Sequence, residues 1–96
     1  MPYQTKVVLH CRSGVPTDLE TLVEAFIRDG VKFVGVVGQG SGTVEDLIDS
    51  FVVGDGSDPS RFILTSSHPQ ETLEQAVHFA SELTGEYAGS VQVVEV

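Results

Sequence analysis

Three times along the chain, a short run of branched aliphatic residues leads through a turn into apolar residues at helical spacing. Leu19, Leu22, Val23, Phe26 and Ile27 follow Val7-Val8-Leu9. Val44, Leu47, Ile48, Phe51 and Val52 follow the stretch from Phe33 to Val37. Leu73, Ala76, Val77, Ala80 and Leu83 follow Phe62-Ile63-Leu64. Spacings of three and four place each set on one face of a helix. Val91, Val93, Val94 and Val96 then read as a last strand. Strand and helix signals that alternate this way demand a sheet with helices packed on it. The strands are nearly continuous in apolar residues, which suits a sheet covered on both faces.

The expectation is therefore one α/β domain over residues 1–96. It has three layers and a four-stranded, mainly parallel sheet in the sequence β-α-β-α-β-α-β. Strand order 2-1-3-4 is expected, as in flavodoxin-like folds. Helix starts are expected at Thr17 with Glu20, at Thr43 with Asp46 and at Ser67 with Gln70, each a cap and its partner three residues on. Gly30, Gly54 and Gly85 are the expected stops. The segment from Gly54 to Ser60 reads as a turn-rich surface loop, since its aspartates lack the spacing and closing glutamate of an EF-hand.

Charge is unevenly spread. Fourteen acidic residues face five basic ones, for a net charge of −9. Residues 1–32 balance, whereas residues 33–96 hold ten carboxylates against Arg61 alone. Such a chain repels phosphate backbones and anionic membranes, so neither nucleic acid nor membrane is an expected partner. It favours a basic protein, with Glu45, Asp46, Asp49, Asp55 and Asp58 as the expected contact face. With 41% apolar residues the chain can build a core. No apolar run approaches the roughly 20 residues of a membrane helix. A single cysteine excludes an internal disulfide and a cysteine-based zinc site. With no basic, apolar leader at the start, a cytoplasmic location is expected.

Chemistry is expected at the carboxyl ends of the strands, in the crevice where strand order reverses. For order 2-1-3-4 that crevice lies between the first and third strands, and brings His10 to Pro16 beside Thr65 to Pro69. His68 is the candidate base and Cys11 the candidate nucleophile. Arg12, Ser13, Gly14, Ser41, Ser66 and Ser67 are candidate ligand contacts, helped by the helix N-termini. Three unclustered histidines argue against a metal, and the glycines from Gly38 to Gly42 lack the lysine of a phosphate-binding Walker loop, so no cofactor is expected. Edge strands two and four leave Val91 to Val96 open to pair with a second copy.

Val8-Leu9-His10-Cys11-Arg12-Ser13-Gly14 resembles the phosphate loop of protein tyrosine phosphatases, although Thr17 stands where their arginine would be. The same stretch is similar to the cysteine-phosphorylated B components of sugar phosphotransferase systems. Over most of its length the chain resembles a family of small, functionally uncharacterised bacterial α/β domains. In these a strand runs into Thr-Thr-Trp-His, acidic residues, a leucine and an aromatic-rich helix, matched here by Thr65-Ser66-Ser67-His68 and Leu73 to Ala80. Ser67 replaces their tryptophan. That resemblance implies the α/β fold and a role for His68, and no activity.

The two readings of function are a small acidic non-catalytic binding module, of inhibitor or immunity type, and a small enzyme or anion-binding domain using the crevice.

Overall fold

The computed structural model describes residues 3–12, 14–58 and 61–96. Strand β1 (Lys6–Cys11) leads to helix α1 (Leu19–Asp29), β2 (Phe33–Gly38) and α2 (Ser41–Val53). Then come β3 (Leu64–His68), α3 (Leu73–Ser81), a 3-10 turn (Gly85–Tyr87) and β4 (Val91–Glu95). The four strands form one all-parallel sheet.

Its order is β3-β2-β1-β4, not the 2-1-3-4 expected. The reason lies in β3. The strand occupies Leu64–His68, so Thr65, Ser66 and Ser67 belong to it rather than to a turn. A strand this polar suits the rim of a sheet, where one edge meets water. Order 2-1-3-4 would have put it in the centre and left the apolar β2 outside. Instead β1 and β2, almost wholly buried, take the two central places. The edges are accordingly β3 and β4; the expectation of an edge at the second strand is corrected.

The chain moves outward from β1 to β2 to β3 and returns once to lay β4 on the far side of β1. Consecutive right-handed crossovers in one direction share a face, and the return crossover takes the other. Thus Leu19, Val23 and Phe26 of α1 pack with Val44, Ile48 and Val52 of α2 against Val7, Leu9, Val34 and Val36. Ala76 and Ala80 of α3 pack on the opposite face, against Val8, Phe33 and Val37. All the residues expected on the apolar helix faces lie in these two clusters.

Helix ends were less faithfully foreseen. Helix α1 starts after Asp18 with no side-chain cap, so Thr17 and Glu20 form no box. Helix α2 starts at Ser41, which places Thr43 inside its first turn. In α3 the capping box is Thr72 with Gln75. Ser67 and Gln70 show the same spacing, but β3 takes Ser67 into the sheet. Gly30 and Gly54 do end their helices, Gly30 in the left-handed region. Gly38 closes β2 at φ +107°, where a Cβ would fall 2.2 Å from the Cys11 carbonyl oxygen. No side chain fits there.

Two cations are used inside the fold. Lys6 is 2% exposed, and its Nζ donates to the carbonyls of Ala80 (2.8 Å) and Leu83 (3.2 Å). Arg61 donates from Nε to the Val52 carbonyl (2.9 Å) and from Nη2 to that of Phe51 (2.7 Å). It also grips Glu24 through both terminal nitrogens, at 3.0 and 2.7 Å. Each cation thus donates to carbonyls at or just past a helix C-terminus, where the dipole favours positive charge.

Candidate functional site

With order β3-β2-β1-β4, the reversal falls between β1 and β4 rather than between β1 and β3. There the ladder between β1 and β4 runs on past the strand ends. The Val96 N–H donates to the His10 carbonyl (3.0 Å) and the Arg12 N–H to the Val96 carbonyl (3.2 Å). Above them Glu95 lies 3.4 Å from His10 Nδ1 and 3.9 Å from an Arg12 nitrogen.

The structure does not bring Cys11 and His68 together. Cys11 pairs in register with Gly38, and Val37 with His68, so two strand spacings (about 10 Å) separate them along the sheet. They also point to opposite faces. Cys11 belongs to the α1/α2 cluster, whereas the His68 ring meets Phe79 of α3 edge-on at 5.0 Å. Cys11 is 1% exposed, and its burial pushes the thiol pKa up, away from a reactive thiolate.

His68 instead closes the polar strand β3. It is 4% exposed, and its Nε2 is hydrogen-bonded to Ser66 Oγ at 2.8 Å. Side chains two apart on a strand share a face, which is why these two meet. Gly35 lies beneath Ser66: a Cβ there would sit 3.4 Å from Ser66 Oγ and 3.1 Å from the Phe33 ring. On the other side of the imidazole, Nδ1 lies 3.2 Å from a Glu71 oxygen. This approach is too poorly aligned to be a hydrogen bond, so Nδ1 stays buried without a hydrogen-bond partner and the contact is electrostatic only.

The other expected ligand contacts are scattered. Ser67 alternates to the face opposite His68, in register with Val36. Ser41 is buried at the start of α2 with its hydroxyl unpartnered. Gly14 approaches Gly40, Arg12 is exposed beside Glu95, and Ser13 lies outside the described residues.

The expected acidic contact face is divided by use. The Thr65 hydroxyl sits 2.6 Å from Asp49 and 3.1 Å from Glu45, so both carboxylates serve the α2–β3 packing. Asp55 accepts from the Ser57 N–H (2.9 Å) and hydroxyl (2.6 Å), which holds its carboxyl below the usual range. Asp46 and Asp58 are exposed.

A further feature had no counterpart in the sequence reading. One flank of α3 borders an open groove of about 600 Å³ with a mostly apolar surface. Phe79 and Leu83 supply apolar lining; Glu71, Glu74 and Glu82 supply carboxylates, and among the described residues no lysine or arginine lines it. The available signal was that Phe79 falls outside the core-facing set 73, 76, 77, 80 and 83. An aromatic there has no place in the core, and it stands 42% exposed.

Among the described residues no group of three or more His, Cys, Asp or Glu side chains could hold a metal. No described helix is long and apolar enough to cross a membrane. No curated protein and no solved structure matches the chain. The family model that does match covers residues 1–95, and by it the chain belongs to the Domain of unknown function family DUF7684.

Proposed function

We propose that this chain is a small non-catalytic protein-binding module that captures a basic partner, in the manner of an inhibitor or immunity protein. The observation that carries the reading is where the cations go. Residues 33–96 contain ten carboxylates and one cation. That cation, Arg61, is committed to Glu24 and to the carbonyls ending α2. Lys6, from the balanced N-terminal part, is buried under α3. The surface built from residues 33–96 therefore presents acidic groups with no free cation among its described residues. Such a surface speeds encounter with a positively charged protein and excludes nucleic acid. With one free, buried cysteine and no disulfide, the chain fits a reducing, cytoplasmic setting.

Affinity capture from the source lysate across a salt series tests this. The reading expects a basic protein retained at low salt and released as salt rises; retention of nothing basic contradicts it.

The second reading, a small enzyme, draws on Ser66, His68 and Glu71. Their atoms follow the order of a Ser-His-Glu relay: Ser66 Oγ at Nε2, the Glu71 carboxylate facing Nδ1. In that role Ser66 would attack an ester carbonyl and pass its proton to His68. His68 would return the proton to the leaving alcohol, and water would release the acyl group by the same route. It ranks second because His68 is buried and Glu71 is misaligned. A fluorophosphonate probe that labels Ser66, and fails with His68→Gln, would promote it. An unlabelled chain would remove it.

A further inference from the structure

We infer that the groove along α3 is the docking site for the partner, and that it takes an amphipathic, lysine- or arginine-bearing helical segment. The inference rests on the binding reading above and adds the surface and the chemistry of the occupant.

The carboxylates come first. Glu71, Glu74 and Glu82 line the groove together with His78, at intervals of three and four residues along the helix and the turn before it. Positions four apart on a helix lie one above the other, so Glu74, His78 and Glu82 form a row along α3, and Glu71, just before the Thr72 cap, adds a carboxylate at its N-terminal end. A partner helix carrying cations two turns apart matches Glu74 and Glu82 along its own length, since both helices rise about 1.5 Å per residue. Groups of the opposite sign elsewhere do not cancel the row, because among the described residues no lysine or arginine lines the groove. His78 and His68 stand beside Glu82 and Glu71, at 3.0 and 3.2 Å.

The apolar part follows. Phe79 and Leu83 sit one turn apart and give the groove an apolar strip beside the acidic row. Phe79 is held in place by the rings of Phe33 and His68, with centroids at 6.0 and 5.0 Å, yet remains 42% exposed. An aromatic that is fixed on one side and open on the other is a ready anchor for a binding surface. An acidic row next to an apolar strip is complementary to a helix with a basic stripe beside a hydrophobic one. An anionic membrane, which also attracts such helices, is repelled by the same carboxylates.

The test uses the full chain and a synthetic probe: a lysine–leucine amphipathic helix of about 15 residues, long enough to span α3. A scrambled peptide and one with glutamate in place of lysine serve as controls. Binding is read by fluorescence anisotropy at low and high salt. The expectation is salt-sensitive binding of the amphipathic peptide only. Glu74→Lys and Phe79→Ala should each weaken it by about tenfold, as truncation of an anchor does. Asp46→Lys, the same charge change on the exposed surface of α2, should weaken it by less than about twofold. Glu74 is exposed, so its variant keeps the test valid if Phe79→Ala fails to fold.

Equal binding by Glu74→Lys and wild type, a larger loss with Asp46→Lys, or equal affinity for the scrambled peptide would each overturn the groove as the site. Any of these leaves acidic capture intact. If the peptide does not bind at all, the groove inference falls. The wider reading falls with it only when lysate capture also fails.

Discussion

The two faces of the sheet are built to different standards. One is covered by α1 and α2, of 11 and 13 residues, which pack against each other as well as on the strands. The other is covered by the 9 residues of α3, set mainly over β2, β1 and β4. Phe26 of α1 and Ile48 of α2 are fully buried against the sheet. On the α3 face the helix supplies alanines to the core, while Phe79 and Val93 remain 42% and 41% exposed. Burial of apolar area is what stabilises a domain this small, so the first face holds the fold together. The second keeps Phe79, Val93 and the carboxylates Glu74 and Glu82 near water, over the buried His68. Stability and candidate function are thus divided across one sheet.

Truncation offers the bluntest way to break that contrast. Phe26→Ala removes a ring from the α1/α2 core and should cost about 3–5 kcal/mol in chemical denaturation. Phe79→Ala, at the open flank of α3, should cost about 1 kcal/mol. Equal losses would mean that the faces do not differ as described.

Next comes the internal cation. Lys6→Met keeps the aliphatic stem but removes the Nζ hydrogen bonds to the Ala80 and Leu83 carbonyls, of which Ala80 still accepts from the Leu83 N–H. A loss of about 1–3 kcal/mol is expected, with faster amide exchange in α3 than in α1. Uniform exchange across the helices would show that Lys6 does not act through α3.

Caps sharpen the comparison further. Thr72→Ala breaks the capping box of α3 and should cost about 1 kcal/mol. Thr17→Ala, before the uncapped start of α1, should stay within about 0.5 kcal/mol. A larger effect at Thr17 would reverse the assignment.

The smallest effect is acid sensitivity. Arg61, hydrogen-bonded to Glu24, holds that carboxyl below its ordinary range. The Tyr3 N–H does the same for Asp29, and Ser57 for Asp55. Each folded-state pKa is depressed, so the folded form binds protons less readily than the unfolded one. Their stabilisation is complete above the ordinary carboxylate range near pH 4 and is lost as pH falls through the lower folded values. Thermal melts from pH 7 down to about pH 2 should fall only below about pH 4. Arg61→Ala should remove the part due to Glu24. A melting point that declines from pH 6 would locate the sensitivity elsewhere.

The apolar faces of all three helices were legible in the sequence, and the setting of β3 was not. Leu19 to Ile27 and Val44 to Val52 carry strong helical periodicity, and the packing follows it residue for residue. Around β3 the local signals conflict. Thr65-Ser66-Ser67-His68 has the composition of a turn, and only its place at a sheet edge makes it a strand. That shift displaced the strand order, the crevice and the expected cap at Ser67 together. His68, the candidate base of the sequence reading, ends β3 with its ring against Phe79 rather than lining a crevice beside Cys11. Its partners Ser66 and Glu71 depend on strand alternation beginning at Leu64, which the turn reading had erased. Nothing in the local sequence marks Lys6 as buried, because its acceptors lie 74 and 77 residues away.

Amide hydrogen exchange on the full chain, with and without the lysine–leucine helix, tests the division between the faces most directly. Protection gained along residues 71–83, with the exchange of α1 and α2 unchanged, is the result this account predicts. Protection centred on residues 45–58, or no change anywhere on the α3 face when the peptide is bound, would contradict it.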